Sequence, residues 1–177
     1  MATFCRLLSV AIVLVLAGCN TKLPGDGAVE TVSLGETTFE LELALSNESR
    51  RQGLGGRTSL DANKGMLFVF PDAQRRRFWM YDCLMAIDIA FVDPLGHVTA
   101  IHTMPFETPR GETETLFEYE DRLPRYPSHF PAQFVIELQP GRFEQLGIKP
   151  GDRLALDMPR MRALAEVCDV PATLPAE

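Results

Sequence analysis

Alternation of apolar and polar residues is the clearest signal along the chain. In the segment TTFELELAL, residues 37–45, every second position is apolar, and most of the positions between are polar or acidic. A period of two is typical of a β-strand with one face in the core and the other in water. The apolar positions are Phe39, Leu41, Leu43 and Leu45. This segment therefore predicts an amphipathic strand.

Further apolar runs, separated by turn residues, predict a chain built mainly of short strands. The run GMLFVF, residues 65–70, is apolar throughout and is consistent with a strand that is buried on both faces and ends at Pro71-Asp72. Strands are predicted at 29–34, 37–45, 65–70, 78–80, 87–92, 97–104, 132–138 and 152–158. Many short strands joined by turns indicate a β-sandwich or a β-barrel, and of these we expect a compact antiparallel β-sandwich, jelly-roll-like in arrangement.

Helical signals are few and short. Ser46 or Asn47 can cap one helix, and GRFEQLG at 141–147 fits a single turn that ends at glycine. Asp157, followed by a proline, can start a last helix with one apolar face, made of Met161, Leu164, Ala165 and Cys168. Residues 105–131 have no clear period and are predicted to form a long loop with a short strand in it. The predicted fold is mainly β with two or three short helices.

One hairpin can be predicted down to its register. The segment FVDPLGHVTAIH has the turn residues Asp93-Pro94-Leu95-Gly96, and the fixed φ of Pro94 excludes the usual two-residue primed turns. A type I turn with Gly96 in a left-handed bulge fits instead. Counting outward from that turn places Asp88 opposite His102 on the same face, close enough for a carboxylate–imidazole contact.

The start of the chain resembles a lipoprotein signal peptide. An apolar run at 7–17 follows a short basic start and is shorter than the roughly 20 residues that a bilayer requires. The run closes on Leu16-Ala17-Gly18-Cys19, which resembles the lipobox of bacterial lipoproteins. That resemblance implies cleavage before Cys19, acylation of Cys19 and anchoring in membrane lipid.

The same pattern predicts the domain boundaries and the location. Residues 1–18 are predicted to be the signal peptide, 19–28 a polar tether, 29–158 the β-sandwich domain, and 159–177 a C-terminal helix and tail. The alternative is an ordinary secreted protein with an accidental cysteine. Asn20 after the cysteine resembles outer-membrane sorting signals, so we expect a lipid-anchored protein of the bacterial cell envelope that faces the periplasm.

Four segments together resemble a known family. They are RRQGLGGRTSLDANKGMLFVF, FWMYDCLMAIDIAFVD, YPSHFPAQFVIEL and GIKPGDRLAL. The chain is similar over about residues 32–156 to the bacterial and archaeal domain-of-unknown-function family 192 (DUF 192). The resemblance implies a compact β-sandwich and no accepted activity. The chain departs from the family pattern at Gly55 and Ala86, where methionine and proline are usual.

Composition narrows the classes of function. A chain of 177 residues with 46% hydrophobic residues can build one domain with a real core. The formal net charge is -7, and the one run of cations, Arg75–Arg77, fits a solvated turn or the guard of an edge strand, so no nucleic-acid partner is expected. The small-molecule or protein partner is not predicted by the sequence.

Two pairs of residues are candidates for chemistry. Asp88 could orient His102 as a general base in a hydrolase-like enzyme, or the two could be a structural pair. Cys83 and Cys168 remain after lipidation and could form a disulfide in an oxidising compartment, or they could be inert core thiols.

Metal binding and aromatic recognition are the remaining possibilities. Three histidines and several methionines, including Met80 and Met104, would suit copper(I), but no spacing fixes two ligands on one element, and we assign neither metal nor cofactor. Trp79 and Phe106, together with those two methionines, are candidates for a binding groove, with plain core packing as the alternative. The most favoured function is a ligand-binding or structural domain; an enzyme and a copper-binding envelope protein are the alternatives.

Overall fold

The computed structural model describes residues 23–169, which form a six-stranded sheet, a small two-stranded sheet and four short helices. The large sheet has the strand order β1-β2-β3-β8-β5-β6, and the small sheet pairs β4 with β7. The strands are β1 Val29–Leu34, β2 Thr37–Ala44, β3 Lys64–Gln74, β4 Arg77–Phe78, β5 Ile87–Val92, β6 Val98–Met104, β7 Tyr126–Pro127 and β8 Ala132–Leu138. The helices are α1 Asn47–Gln52, α2 Leu116–Arg122, α3 Arg142–Gln145 and α4 Met158–Glu166.

The prediction of a mainly β, sandwich-like fold is confirmed, with two corrections. First, β2 and β3 run parallel, whereas the other paired strands are antiparallel. A parallel pair needs a crossover connection, and residues 45–63 supply it with α1 inside. Second, the described residues contain four helices and not two or three, because α2 lies within the segment predicted to be a loop.

Apolar side chains cover both faces of the large sheet. On β3 and β8 successive residues belong to different clusters: Leu67 and Ile136 lie in one, and Phe68 and Val135 in the other. The first cluster includes side chains of α3 and α4. The second cluster includes Phe78 of β4, whose ring contacts Phe68 edge-to-face at 5.2 Å between centroids. The small sheet and the loops around it therefore form the second layer.

Local predictions differ from the structure at four places. The strand predicted at 78–80 is only the two-residue β4, Arg77–Phe78. Strand β3 continues beyond Pro71 to Gln74, with a register shift between Val69 and Gln74, and an irregular stretch of this kind tolerates proline. Residues 152–158, predicted to be a strand, form only an isolated bridge between His97 and Arg153. Helix α2 starts with a capping box between Thr115 and Glu118, a sequence signal that could have predicted it.

The predicted signal peptide and Cys19, the predicted site of lipidation, lie outside the described residues. The end of the predicted tether is attached to the domain: the carboxylate of Asp26 accepts from Ser49 Oγ at 2.7 Å, and Gly27 N donates to Leu43 O at 2.9 Å. Within residues 23–169, none of the helices has the length and apolar character needed to cross a bilayer.

Candidate functional site

The candidate site is an open cavity of about 220 Å³ on the face of the large sheet that carries the small sheet. Three separate parts of the chain line it: α1 and the turn after it, the segment from β3 to the loop after β4, and one residue of β8. We call this cavity the Glu137 pocket. Its lining residues are Asn47, Arg50, Arg51, Gln52, Gly53, Leu54, Phe68, Phe70, Arg77, Phe78, Trp79, Tyr81, Cys83 and Glu137.

Glu137 forms the floor of this pocket. It is on the same face of β8 as Val135, and it is only 5% exposed. Its Oε2 atom is buried and has no hydrogen-bond partner among the described residues. Burial raises the pKa of Glu137 to about 8, and Arg57 opposes this only in part. The guanidinium of Arg57 is held by both carboxylate oxygens of Glu42 at 2.6 Å. At neutral pH the free protein therefore keeps most of this carboxyl group protonated.

Cys83 lies in the same pocket and is 8% exposed. Burial raises the pKa of its thiol to about 12, and the carboxylates of Glu137 and Asp82 add to the effect. Because the thiolate is the reactive form of cysteine, this thiol is a poor nucleophile at neutral pH. Cys83 therefore offers the pocket a neutral, weakly polar surface.

Aromatic rings form the walls, and their own neighbours hold them in place. The ring of Phe78 contacts Phe68 at 5.2 Å and Phe91 at 5.5 Å, both edge-to-face. The ring of Trp79 lies 5.6 Å from that of Tyr81, and the guanidinium of Arg125 lies 4.0 Å from the centre of the Trp79 ring. These contacts fix the shape of the pocket before anything binds.

Two of the arginines that line the pocket are available at its mouth. Arg51 and Arg77 are exposed, and within residues 23–169 their side chains make no hydrogen bond or salt bridge. Arg50 is different, since it donates to the carbonyl of Val69 at 2.9 Å and pairs with Asp169 at 2.8 Å. The mouth therefore carries two uncommitted positive charges above a floor with a single acid.

Gly53 brings the backbone of the turn after α1 close to the floor. Its φ is +52°, which favours glycine. A Cβ atom at this position would lie 3.3 Å from Cζ of Phe68 and 3.7 Å from Oε2 of Glu137. A side chain here would occupy part of the space above the acid, so glycine keeps the floor open.

The structure contradicts the predicted pairing of Asp88 with His102. The turn at Asp93–Gly96 forms as expected, with Gly96 at φ +92° and Val92 opposite Val98. A register shift between Phe91 and Val92 then places Asp88 opposite Thr103, and His102 opposite Ile89. An odd shift moves every later side chain to the other face of the pair.

Asp88 and His102 therefore lie apart, in two structural settings. Asp88 is 2% exposed, and its Oδ1 accepts from Thr103 Oγ1 at 2.7 Å, while Oδ2 accepts from Phe143 N at 3.3 Å. His102 bonds through Nε2 to the carbonyl of Pro127 at 2.8 Å. These contacts join β5 to β6 and α3, and β6 to β7, and they assemble no general base.

The two cysteines do not form the predicted disulfide. Both are free thiols, with Cys83 in the cluster beneath the small sheet and Cys168 in the cluster on the α4 side. Burial also raises the pKa of Cys168 to about 11, and its thiol donates to the carbonyl of Val69 at 3.2 Å. The sheet separates the two cysteines, which sequence spacing could not show.

Only one of the four binding candidates lines the pocket. Trp79 does so, whereas Met80 and Met104 are completely buried in the core, and Phe106 is half exposed and not part of the lining. Across residues 23–169, no three His, Cys, Asp or Glu residues are arranged to hold a metal ion.

The sequence analysis missed the residue at the centre of the site. Glu137 follows the apolar run FVI and precedes Leu138, in a strand with paired neighbours on both sides. An acidic residue within a buried apolar strand is unusual, because burial disfavours its charge. This unusual position is the signal from which Glu137 could have been predicted as a functional residue. Arg77 belongs to the basic run Arg75–Arg77, which the sequence favours as a solvated turn or edge-strand guard, and Arg51 carries no distinguishing pattern.

Comparison with known proteins identifies the family. The family model DUF192, described as Uncharacterized ACR, matches residues 29–156. The chain belongs to the DUF192 family. This DUF192 match includes every residue that lines the pocket.

Two solved structures resemble this DUF192 chain. One is a protein of unknown function from Novosphingobium aromaticivorans DSM 12444, with 27% identity, a TM-score of 0.60, and 72% of this chain and 85% of that chain covered. The other is described as a "putative transcription regulator" from Sinorhizobium meliloti 1021, with 27% identity, a TM-score of 0.53, and 71% and 89% covered. No curated protein matches the chain.

Proposed function

We propose that this DUF192 domain binds a small organic molecule in the Glu137 pocket. The observation that carries this proposal is the buried carboxyl group with an unpartnered Oε2 atom, which forms the floor of an open cavity. A buried polar group without a partner costs roughly 1–3 kcal/mol, and a bound ligand would recover that cost. Concave sites with aromatic walls and a few convergent polar groups are typical of small-molecule binding.

The pocket fits binding better than chemistry. Its two buried titratable groups, Glu137 and Cys83, have raised pKa values and carry protons at neutral pH. The residues proposed for catalysis, Asp88 and His102, lie outside the lining. The pocket therefore offers shape, hydrogen bonds and charge to a ligand, with no activated nucleophile.

We further propose that lipid at Cys19 holds this binding domain on the cell envelope. Support comes from the sequence alone: the apolar run at 7–17 closes on Leu16-Ala17-Gly18-Cys19. One acyl chain gives only marginal attachment, so lasting anchoring would need more than one chain on this residue. The binding domain would then sample molecules at the membrane surface.

A fragment screen with a blocked pocket tests the binding proposal. Trp79 is the only tryptophan of the chain and lines the pocket, so its fluorescence reports binding there directly. We expect fragments that change this fluorescence with the wild type and lose binding with Cys83→Met, which places a longer side chain in the cavity. Cys168→Met is the control, because it enlarges a buried thiol on the other face of the sheet. Equal fragment binding by the wild type and both variants, or no fragment at all, would reject the proposal.

A further inference from the structure

We propose, resting on the binding function above, that the ligand is a zwitterion with an ammonium group at one end and a carboxylate at the other. The ammonium would contact Glu137 at the floor, and the carboxylate would contact Arg51 and Arg77 at the mouth. Candidate ligands are amino acids with separated charges and short peptides.

The floor selects a cation. Oε2 of Glu137 has no donor among the described residues, and the nearest opposing charge, on Arg57, is bound to Glu42. A buried carboxylate is stable only when it is paired, so a ligand that ionises it must bring a positive charge. The rings of Phe68 and Phe78 line the same space, and aromatic rings are favourable neighbours for a cation.

The mouth selects an anion. Arg51 and Arg77 are exposed and uncommitted, and a guanidinium matches the geometry of a carboxylate. They would repel a simple amine as it enters. A simple carboxylate would be attracted but would leave Glu137 without a partner. Only a ligand with both groups satisfies both ends of the pocket.

Binding of such a ligand moves a proton. In the free protein Glu137 holds its proton at neutral pH, because burial keeps its pKa near 8. An ammonium at Oε2 favours the ionised form, so the proton leaves Glu137 for the buffer when the ligand binds. Affinity should then rise as pH rises, by up to tenfold per pH unit, and level off above about pH 8. The charged and titratable groups around Glu137 and its pocket are Arg50, Arg51, Arg57, Arg77, Tyr81, Asp82 and Cys83.

Three matched compounds test the inference. 4-(Aminomethyl)benzoate carries both charges on a rigid ring, 4-methylbenzoate lacks the amine, and benzylamine lacks the carboxylate. We expect the first to bind at least tenfold more tightly than either of the others, by Trp79 fluorescence and by calorimetry. Calorimetry in two buffers of different ionisation enthalpy should show release of close to one proton per site at pH 6.5.

The possible failures are distinguishable. If 4-methylbenzoate binds as tightly as the zwitterion and no proton is released, Glu137 acts as a neutral donor, and the zwitterion inference is wrong. If none of the three compounds binds while the fragment screen finds other pocket ligands, the inference is wrong and the binding proposal stands. If the fragment screen is also negative, both are wrong.

Variants of the protein test which residue contacts each end of the ligand. Glu137→Gln keeps the size of the side chain and should abolish proton release and the preference for the amine. Arg77→Gln should weaken the zwitterion by about tenfold and leave benzylamine unaffected or tighter. Arg75→Gln is the matched control, because Arg75 is exposed two residues away and does not line this pocket. An equal loss in the Arg75 and Arg77 variants would show that only general charge matters and would overturn the role of the mouth.

Discussion

At neutral pH the burial of Glu137 lowers the free energy of unfolding, because the carboxyl group must keep its proton in the folded chain. Burial raises its pKa to about 8, from the value near 4.5 of an ordinary glutamate. In the unfolded chain the group ionises near pH 4.5, whereas in the folded chain it keeps its proton up to about pH 8. Between these values the folded state binds more protons than the unfolded state, so stability falls as pH rises.

The first prediction concerns this fall in stability as pH rises. The free energy of unfolding of the wild type should decrease between pH 4.5 and pH 8 relative to that of Glu137→Gln, by roughly 4–5 kcal/mol at about 1.4 kcal/mol per pKa unit. Urea unfolding at a series of pH values measures this difference. Glu144→Gln, at an exposed acid on α3, should keep the wild-type profile. Parallel profiles for the wild type and Glu137→Gln would show that the carboxyl group is not desolvated.

The second prediction concerns Asp88, whose carboxylate joins β5 to Thr103 and to the backbone of Phe143. Asp88→Ala should lower the free energy of unfolding by about 2 kcal/mol, because the buried N–H of Phe143 and the partly buried hydroxyl of Thr103 lose their acceptor. Thr103→Val should cost less, since it removes one bond only. Ligand titrations monitored by Trp79 fluorescence should stay unchanged in both variants. A loss of binding without a loss of stability would instead give Asp88 a functional role.

At the scale of elements, the short helix α1 determines the position of the pocket mouth. Ser46 caps the helix, because its Oγ accepts a hydrogen bond from Ser49 N at 3.1 Å. In turn, Oγ of Ser49 accepts a hydrogen bond from Ser46 N, also at 3.1 Å. The carboxylate of Asp26 accepts from Ser46 N as well, at 3.0 Å. Arg51 and Gly53 follow directly at the end of this helix. A substitution that removes the helix cap should therefore also affect the residues of α1 that line the pocket.

The third prediction concerns the link between the cap of helix α1 and ligand binding in the pocket. Ser46→Ala should lower the free energy of unfolding by about 1 kcal/mol, the usual cost of losing a helix cap. Ligand affinity should fall as well, because Arg51 is ordered by the same helix. Ser33→Ala, at an exposed serine on β1, is the control and should change stability by less than about 0.5 kcal/mol. Unchanged affinity in Ser46→Ala would show that the mouth is held without the cap.

At the scale of the whole molecule, the parallel pairing of β2 with β3 explains why a pocket exists. The crossover between these strands carries α1 to the face of the large sheet, where α1 and the loop after β4 line the same pocket. Glu137 of β8 lies at the floor of the pocket that these two segments line. Where the domain is held in the cell is a separate prediction, and it rests on the predicted leader sequence.

The fourth prediction is that Cys19 is lipidated. Cys19→Ser should leave the protein unprocessed or move it from the membrane to the soluble envelope fraction. Fractionation and mass spectrometry of the mature N-terminus provide the measurement. Cys5→Ser, at a cysteine ahead of the predicted cleavage site, should have no effect. An unmodified mature N-terminus in the wild type would contradict the anchor.

The sequence by itself determined the strands, because alternation and apolar runs encode local burial directly. The strand at 37–44, the hairpin turn at Asp93–Gly96 and the helix that begins near Asp157 all form as predicted. The family could also be recognised from the sequence, since each of its motifs is a contiguous segment of the chain. The predicted strand at 152–158 failed, because a strand needs a partner and the pattern of one segment does not supply one.

Only the tertiary structure decided which polar residues meet. The register shift beside Val92 moved His102 to the opposite face from Asp88, and a single extra residue was enough to do so. The sheet separated Cys83 from Cys168. The pocket joins segments more than 80 residues apart in the chain, so no local pattern could place Arg51 and Glu137 in one cavity. Burial periodicity is a local property of the sequence, whereas the pairing of side chains depends on register and on the path of connections, and these are fixed only when the whole sheet packs.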